Sequence, residues 1–418
     1  MLKARFQYLM EKKGINRKQL ADGLLTLPHL SNLLAERYLL ADDLAGEFGK
    51  RLDVAAEYLL QTSDSSHQIL QTANQYINQV ITGDYLPREG KANALVLELT
   101  IQLANACYYQ SQNDQAGYQK LHEDYLNFYI RYFEDGRIES LPVPLQKAFY
   151  YYKVQTYRSL HQFEEADKYV MKILSLLQED ELEIWLTLQK IEMEVLLHIK
   201  AYDRLKKVFQ TTEQRVMQEN VLHHLAGLYL LYSGFTFQIG LTAEAFYYLA
   251  KAESNLTYLS SGKEDYLMMI YNNRIVMQIR IQQYKKALEE VEHLREWLEQ
   301  NSDTPAQLYA LLAIYRCDLF LLQQDFAALA KEVKHLEEME KNEDQVQALS
   351  FYESQLLFEQ KKIEEVLPLL LKVTEYFEKQ FQKERLLVLY EQMGICYEEL
   401  RQYKKAAEMY KKTIQLLK

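Results

Sequence analysis

Residues 393–410, MGICYEELRQYKKAAEMY, contain the pattern that decides the fold. Tyr403 follows a turn between two helical segments, two lysines come next, and the small residue Ala406 lies in the first turn of the second segment. The same order of an aromatic or apolar residue, two polar residues and a small or aliphatic residue recurs upstream. We call the last residue of each motif its anchor. The motifs begin at Phe163, Tyr202, Tyr284, Phe326, Ile363 and Tyr403, and their anchors are Ala166, Leu205, Ala287, Leu329, Val366 and Ala406.

The anchors repeat at a nearly constant distance along the chain. With Ala245 filling the gap between Leu205 and Ala287, successive anchors lie 39, 40, 42, 42, 37 and 40 residues apart. A repeat of about 40 residues built from helix pairs is typical of an α-solenoid. The 418 residues include 13 glycines and 6 prolines, too few for the turns of a β-sandwich, a barrel or a glycine-looped nucleotide fold. The sequence therefore predicts an all-α fold.

The last unit indicates the kind of repeat. Met393-Gly394 and Tyr397 precede Ala406 by 13, 12 and 9 residues. Tyr410 follows Ala406 by 4 residues. This arrangement resembles the tetratricopeptide pattern of Leu-Gly, Tyr, Ala and a large aromatic residue. Because the other units are longer than that consensus, the resemblance implies a right-handed α-solenoid of degenerate tetratricopeptide repeats.

Charge and cysteine content narrow the class of protein. The chain has 48 Lys and Arg against 59 Asp and Glu, a formal net charge of −11. Such an acidic chain does not look like a nucleic-acid-binding protein as a whole, although a small domain within it can still bind DNA. Three dispersed cysteines fit free thiols in a reducing compartment. Residues 1–14 show no apolar signal-peptide core and residues 222–241 carry His223, His224 and Gln238, so we expect a cytoplasmic protein with no membrane partner.

A polar stretch at residues 61–68, QTSDSSHQ, marks a clear break in composition. Residues 1–65 contain nine basic and nine acidic groups, so the acidity belongs to the repeats. One further helix pair is expected at roughly 90–133, with Ala116 as its anchor. The sequence thus predicts a helix-turn-helix domain at residues 1–62, a linker at 63–68 and a repeat domain at 69–418.

Residues 2–60 contain the pattern of four or five short helices. Asn16 can cap a helix at residues 17–24, and Gln19 can complete a capping box with it. Thr26 can cap the next helix, at residues 27–35. Two helices joined this tightly, with apolar residues facing inwards, have the spacing of a helix-turn-helix.

The same segment resembles the Xre (lambda-repressor-like) helix-turn-helix. GINRKQLADGL at residues 14–24 and LSNL at 30–33 match the family pattern Gly-Leu-Ser/Thr-Gln-x-x-Leu-Ala followed by Ile/Val-Ser-x-Ile-Glu, although the final Glu is Leu34 here. The resemblance implies binding of double-stranded DNA, with one group of residues facing bases and another facing phosphates. The expected base-facing residues are Leu27, Pro28, His29, Ser31 and Asn32, and the expected phosphate-facing residues are Lys13, Arg17, Lys18, Gln19 and Arg37.

A helix-turn-helix followed by degenerate tetratricopeptide repeats is similar to the peptide-pheromone-sensing regulators of Gram-positive bacteria, the Rap, Rgg, NprR, PlcR and PrgX group. The chain length resembles the NprR-like members most. The resemblance implies a quorum-sensing transcription regulator whose DNA binding is controlled by a short signalling peptide. The base-facing set lacks the Arg or Lys that most often contacts guanine. The alternative is therefore an interaction scaffold or anti-activator that binds a protein partner and has lost DNA binding.

The first helix of each tetratricopeptide pair, here called helix A, lines the concave face of the solenoid. Counting back 15, 11 and 8 residues from each anchor gives the inward-facing positions, where polar residues are expected to meet water or a ligand. Asn and Gln can match the backbone of an extended peptide. In the resembled family an Asn on a central repeat does so, while a cation and an anion could fix the peptide's direction. The predicted peptide-binding residues are Tyr151, Gln155, Arg158, Glu194, Asn272, Asn273, Asp318 and Gln355.

The sequence contains no catalytic motif that we recognise, so we expect no enzymatic activity, no cofactor and no metal site. His223 and His224 are adjacent on a predicted helix and would point about 100° apart, which would prevent them from sharing a metal ion. We also expect a homodimer, because the last helix pair carries more apolar surface than one terminal pair can bury. That surface is formed by Leu386, Leu387, Leu389 and Tyr390.

Overall fold

A computed structural model describes residues 1–134, 137–300, 306–380 and 382–417. Regular structure in these residues is helical throughout, with no strand, and it consists mainly of consecutive helix pairs. The predicted all-α solenoid is therefore confirmed. The chain divides into two compact units, Met1–Phe235 and Thr236–Lys418, which we call unit 1 and unit 2.

Residues 2–60 form short helices with the predicted local signals. Asn16 and Gln19 make a reciprocal capping box, and the Thr26 hydroxyl accepts a hydrogen bond from the His29 amide. The second helix is shorter than predicted because Gly23 adopts φ +69°, a conformation that ends a helix. The Arg51 guanidinium donates to the exposed carbonyls at that helix end. The helices are α1 (Leu2–Lys13), α2 (Arg17–Ala21), α3 (Leu27–Leu34), α4 (Asp42–Leu52) and α5 (Ala56–Leu60).

Unit 1 continues with a single helix and then with helix pairs. Helix α6 packs against α7, α10 and α12, the A helices of three successive pairs. The predicted anchor Ala116 is wrong, since it is exposed, and a π-helical turn at His122–Leu126 interrupts the second helix of that pair. The helices are α6 (His67–Thr82), α7 (Leu95–Ser111), α8 (Gln115–Leu121), α9 (Asn127–Phe133), α10 (Val143–Ser159), α11 (Phe163–Leu174), α12 (Leu182–His198), α13 (Tyr202–Gln218) and α14 (Leu225–Gln238).

Unit 2 repeats the helix pair most regularly. The seven anchors from Ala166 to Ala406 are all buried, and each of the six turn motifs begins a second helix, helix B, at its first residue. Gly394 is needed in the last pair because a Cβ atom there would lie 2.4 Å from the ring of Tyr410. The helices are α15 (Thr242–Ser254), α16 (Lys263–Arg280), α17 (Tyr284–Gln300), α18 (Ala306–Leu322), α19 (Phe326–Glu338), α20 (Glu343–Glu359), α21 (Ile363–Lys379), α22 (Lys383–Glu399) and α23 (Tyr403–Leu417).

The argument for a homodimer from the last helix pair is wrong. Leu386, Leu389 and Tyr390 are at most 5% exposed within one chain, because α22 packs between α21 and α23. The pair therefore buries these side chains by itself, and a homodimer remains a prediction without that support. Among the described residues, no helix is both long and apolar enough to span a membrane.

The core of the amino-terminal helices is continuous with that of the first helix pair. Arg5 of α1 is fully buried, and its guanidinium lies 3.1 Å from the carboxylate of Glu98 on α7. The hydroxyls of Tyr58 and Tyr125 donate to the other oxygen of Glu98, at 2.8 and 2.6 Å. Tyr8 of α1 donates to the carbonyl of Asp124 in the π-helical turn. These contacts fix the orientation of α1 relative to the first pair.

Candidate functional site

The predicted DNA-contacting residues lie together on α2, α3 and the turn after α3. Four of the five base-facing residues are exposed, and Asn32 is half-buried with its side-chain oxygen accepting from Arg37 at 3.1 Å. The side chain of Gln19 is engaged in the capping box rather than free for phosphate. The exposed predicted residues are Arg17, Lys18, Gln19, Leu27, Pro28, His29, Ser31 and Arg37.

Several basic residues of the amino-terminal helices are engaged elsewhere. Arg5 is buried against Glu98, Lys13 pairs with Asp53 at 2.9 Å, and Lys50 pairs with Glu47 at 2.6 Å. Arg17, Lys18 and Arg37 are thus the predicted phosphate-facing cations for which the helix-turn-helix itself offers no carboxylate partner among the described ion pairs.

Apolar side chains are exposed beside the same helices. Leu27 is 47% exposed, Tyr38 is 58% exposed and Leu39 is 98% exposed. Exposed apolar side chains grouped in this way mark interaction surfaces more often than they mark groove-reading surfaces of DNA-binding helices.

In unit 1 the structure brings four predicted peptide-binding residues together. Arg158 on α10 donates from Nε and Nη2 to both carboxylate oxygens of Glu194 on α12, at 3.2 and 2.6 Å. Its Nη1 donates to Oε1 of Gln155 at 3.0 Å. Tyr151 is buried one turn earlier, and burial raises the pKa of its hydroxyl. Arg158 is therefore a paired cation, so a peptide carboxylate would have to compete with Glu194 for it.

A second ion pair on α10 was missed by the sequence analysis. The Lys147 ammonium lies 2.6 Å from a carboxylate oxygen of Glu181, which immediately precedes α12, and both side chains are buried. Asn74 and Asn78 of α6 donate to the same carboxylate at 3.2 Å. Burial opposes ionisation of Glu181, but the hydrogen bonds from Lys147, the Gln178 amide and Asn74 outweigh it and lower its pKa.

Helix α6 therefore lies against the polar face of the first A helices. Lys147 precedes Tyr151 by four residues, so it belongs to the same stripe of α10 as Tyr151 and Gln155. Extending the inward-facing positions by one helical turn would have identified Lys147. The position of α6 has no comparable local signal in the sequence.

In unit 2 the predicted residues lie in a series of hydrogen bonds between consecutive A helices, which we call the unit 2 ladder. Tyr315 of α18 donates to Oδ1 of Asn272 on α16. Tyr352 of α20 donates to Oδ1 of Asp318 on α18 at 2.6 Å. Two glutamine amides, Gln355 of α20 and Gln392 of α22, exchange hydrogen bonds of 2.9 and 2.6 Å.

The ladder contains residues that the sequence analysis did not select. Tyr315, Tyr352 and Gln392 each lie 14 residues before an anchor, one position from those that were counted. Asn273 occupies the same position in its own repeat and is half-buried beside Asn272. Inward-facing residues at this additional position would have predicted the donors of the ladder.

Asp318 carries the negative charge that was predicted to orient a peptide. Burial raises the pKa of its carboxyl group, while Arg385 and the Tyr352 hydroxyl act in the opposite direction. The Arg385 guanidinium lies 3.9 Å from Oδ1 of Asp318 and close to the rings of Phe351 and Phe377. Asp318, like Arg158 in unit 1, already has a counter-charge within its own unit.

Comparisons with known proteins bear on what such an arrangement of helices does. No family model matches the chain, and no curated protein matches its sequence. Solved structures do match. A Rap protein complexed with Competence and Sporulation Factor matches with a TM-score of 0.53 and 12% identity, over 84% of this chain and 97% of that one. The apo form of the quorum sensor NprR from B. thuringiensis matches with a TM-score of 0.54 and 9% identity, over 85% of this chain and 100% of that one.

The chain shares its fold with two quorum-sensing proteins. The match spans nearly the whole length of both, so the likeness covers the order of helices through most of the chain. At this level of identity it establishes the fold, whereas the individual site residues depend on the geometry above.

A histidine pair in unit 1 forms a separate polar cluster. His223 and His224 lie on a 3-10 turn before α14 and not on an α-helix, and their ring centroids are 4.2 Å apart. Both approach the carboxylate of Glu183 on α12, with Nε2–oxygen distances of 3.6 Å for His223 and 2.7 Å for His224. The expectation that the two side chains diverge is therefore wrong.

Lys190 completes the surroundings of His224. Its Nζ lies 3.0 Å from Nδ1 of His224, on the opposite side of the ring from Glu183. Burial and the neighbouring Lys190 lower the pKa of His224 to about 4, against the opposing effect of Glu183. Burial also lowers the pKa of Lys190. His224 is thus a neutral imidazole at neutral pH.

Proposed function

We propose that this protein is a cytoplasmic quorum-sensing transcription regulator that binds a short signalling peptide on its A helices and DNA through α2 and α3. The observation that carries the proposal is the unit 2 ladder, in which polar groups of four consecutive A helices bond to each other. The likeness in fold to a Rap protein complexed with a signalling factor and to the sensor NprR supports it. In this proposal residues 1–62 form the DNA-binding domain, 63–68 a linker and 69–418 the sensor.

The ladder suggests how a peptide would act. A peptide backbone offers a donor and an acceptor at each residue, so it can replace hydrogen bonds that the A helices make with each other. Asn272 and Asn273 would bind backbone groups, while Tyr315, released from Asn272, would turn towards the peptide. Exchanging bonds that join neighbouring A helices changes how those helices are held, which favours one conformation over another.

DNA binding would use the cations that remain available. Arg17, Lys18 and Arg37 would contact phosphates, and Asn32 with Ser31 would contact base edges. The proposed homodimer would present two such helices to half-sites about 34–36 Å apart or a multiple of that distance. The peptide would alter DNA binding by changing the fit of the two domains to this spacing.

Selection of bound duplexes from a random pool by the full-length protein at low salt tests the DNA-binding part. We expect an enriched sequence, a steep decrease of affinity with salt, and loss of affinity for all duplexes in Arg17→Ala/Lys18→Ala. Lys206→Ala/Lys207→Ala removes two exposed charges elsewhere and is the matched control. Asn32→Ala should relax the sequence preference without a comparable loss for random DNA.

The second candidate function is an interaction scaffold or anti-activator. It is favoured by the exposed Leu27, Tyr38 and Leu39 and by the absence of Arg and Lys from the base-facing set. If no duplex is enriched and Arg17→Ala/Lys18→Ala binds random DNA as the control does, this second function replaces the first.

A further inference from the structure

Two imidazoles and one carboxylate converge at a point between two consecutive A helices of unit 1. One nitrogen of His223, one of His224 and one oxygen of Glu183 all lie within 4.8 Å of one another. Glu183 belongs to the first turn of α12, and the two histidines belong to the 3-10 turn that precedes α14. The residues come from positions about 40 apart in sequence, so the repeat packing itself brings them together.

The separations are close to those that a metal ion requires. In a tetrahedral site with bonds of about 2.0–2.1 Å, ligand atoms lie about 3.3 Å from one another. The distance from His223 Nε2 to Glu183 is 3.6 Å, and that from His224 Nε2 is 2.7 Å. Opening the shorter distance by a few tenths of an ångström and closing the longer one would place both imidazoles and the carboxylate around a single ion.

Access and ligand chemistry also fit. About half of each of the His223 and Glu183 side chains is exposed, whereas His224 is nearly buried and fixed in place. An ion can therefore enter from solvent onto a pre-positioned imidazole. Two imidazoles and a carboxylate are the donor set of three-ligand zinc sites, which keep a fourth position for water.

From this geometry we propose that Glu183, His223 and His224 form a binding site for one divalent transition-metal ion of the zinc type. The ion would join the start of α12 to the turn before α14 and so tie two neighbouring repeats. The site is independent of the proposed peptide and DNA binding, since it shares no residue with either.

Lys190 provides a specific way to test the site. Its ammonium lies 3.0 Å from the ring of His224 and opposes a nearby divalent cation through charge. A metal-bound imidazole also needs a hydrogen-bond acceptor at its other nitrogen, which an ammonium cannot supply. Lys190→Gln removes the charge and offers a carbonyl oxygen, so we expect it to bind the ion more tightly than the natural protein.

The experiment is titration of the chelator-treated full-length protein with Co²⁺ and Zn²⁺. We expect one equivalent of Co²⁺ to give the intense visible absorption of a four-coordinate ion, displaced by one equivalent of Zn²⁺. His223→Gln should weaken binding at least about tenfold. Since His223 is half exposed, this variant is expected to fold normally, which circular dichroism would verify. His67→Gln, at another exposed histidine, is the matched control and should bind as the natural protein does.

Two results would overturn the proposal. One is the lack of stoichiometric binding in both the natural protein and Lys190→Gln. The other is binding that His223→Gln and Glu183→Gln leave unchanged, which would place the ion elsewhere on the surface.

Discussion

The A helices of the two units are joined by different chemistry. In unit 1 the joining groups are ion pairs, Arg5 with Glu98, Lys147 with Glu181 and Arg158 with Glu194. In unit 2 they are mainly hydrogen bonds from tyrosine hydroxyls and glutamine amides. Breaking a buried ion pair leaves a charge without a partner, whereas breaking a neutral hydrogen bond costs much less.

The difference indicates which part of the groove can exchange its bonds for those of a ligand. A neutral peptide backbone can replace the amide and hydroxyl partners of the unit 2 ladder, but it cannot compensate a buried ammonium or guanidinium. We therefore assign the peptide to unit 2 and regard the ion pairs of unit 1 as structural. The two tryptophans allow this contrast to be measured, because Trp185 lies in unit 1 and Trp297 in unit 2.

The largest expected effect is at the buried pair between α1 and α7. Glu98→Gln leaves the Arg5 guanidinium buried without its counter-charge, so we expect unit 1 to lose about 3–5 kcal/mol of unfolding free energy. Urea unfolding followed by Trp185 fluorescence, in a Trp297→Phe background, measures it. Glu164→Gln, at an exposed carboxylate of the same unit, is the control. A loss no greater than that of the control would mean that the pair is not needed to hold α1.

The next effect concerns Lys147 and depends on pH. Lys147→Met removes the cation that Glu181 needs, and we expect a loss of about 3 kcal/mol at neutral pH, measured with the same fluorescence. Because folding lowers the pKa of Glu181, the pair stabilises the fold above the ordinary carboxyl pKa of 4.5, and this contribution is lost as the pH falls through the lowered value.

The difference between the natural protein and Lys147→Met should therefore shrink in acid. Lys168→Met, which breaks an exposed pair with Glu165, should change little at any pH. A difference that stays constant from neutral pH to well below 4.5 would contradict the role given to Glu181.

The smallest effect is expected in the unit 2 ladder. Gln355→Leu leaves the amide of Gln392 without its partner and should cost unit 2 about 1 kcal/mol. Replacing both glutamines by leucine removes both polar groups and should be nearly neutral. Trp297 fluorescence in a Trp185→Phe background reports both values. A double variant as unstable as Glu98→Gln would remove the contrast between the units.

Local features of the fold could be predicted from the sequence, and long-range ones could not. The capping box at Asn16 and the starts of the B helices followed from residues a few positions apart. The anchor Ala116 failed because a π-helical turn broke the regular spacing. The pairs of Arg5 with Glu98 and of Lys147 with Glu181 join residues 93 and 34 positions apart, and no periodic pattern indicates them.

The candidate site shows the same division. The stripe of inward-facing polar residues was predicted from the anchors, but their internal partners were not. The convergence of His223 and His224 was missed because an ideal α-helix was assumed where the chain forms a 3-10 turn. Sequence periodicity gives the face of a helix, whereas the partner of a side chain depends on the neighbouring repeat.

Hydrogen exchange of the full-length protein, with and without a short peptide selected by panning, tests the central claim most directly. The account predicts that the peptide slows exchange in α16, α18 and α20 of unit 2 and that Asn272→Ala/Asn273→Ala abolishes this protection. Gln282→Ala/Gln283→Ala, at two exposed polar or turn positions of the same unit, is the matched control and should retain it. Protection confined to unit 1, or protection that survives Asn272→Ala/Asn273→Ala, would contradict the assignment of the peptide to the unit 2 ladder.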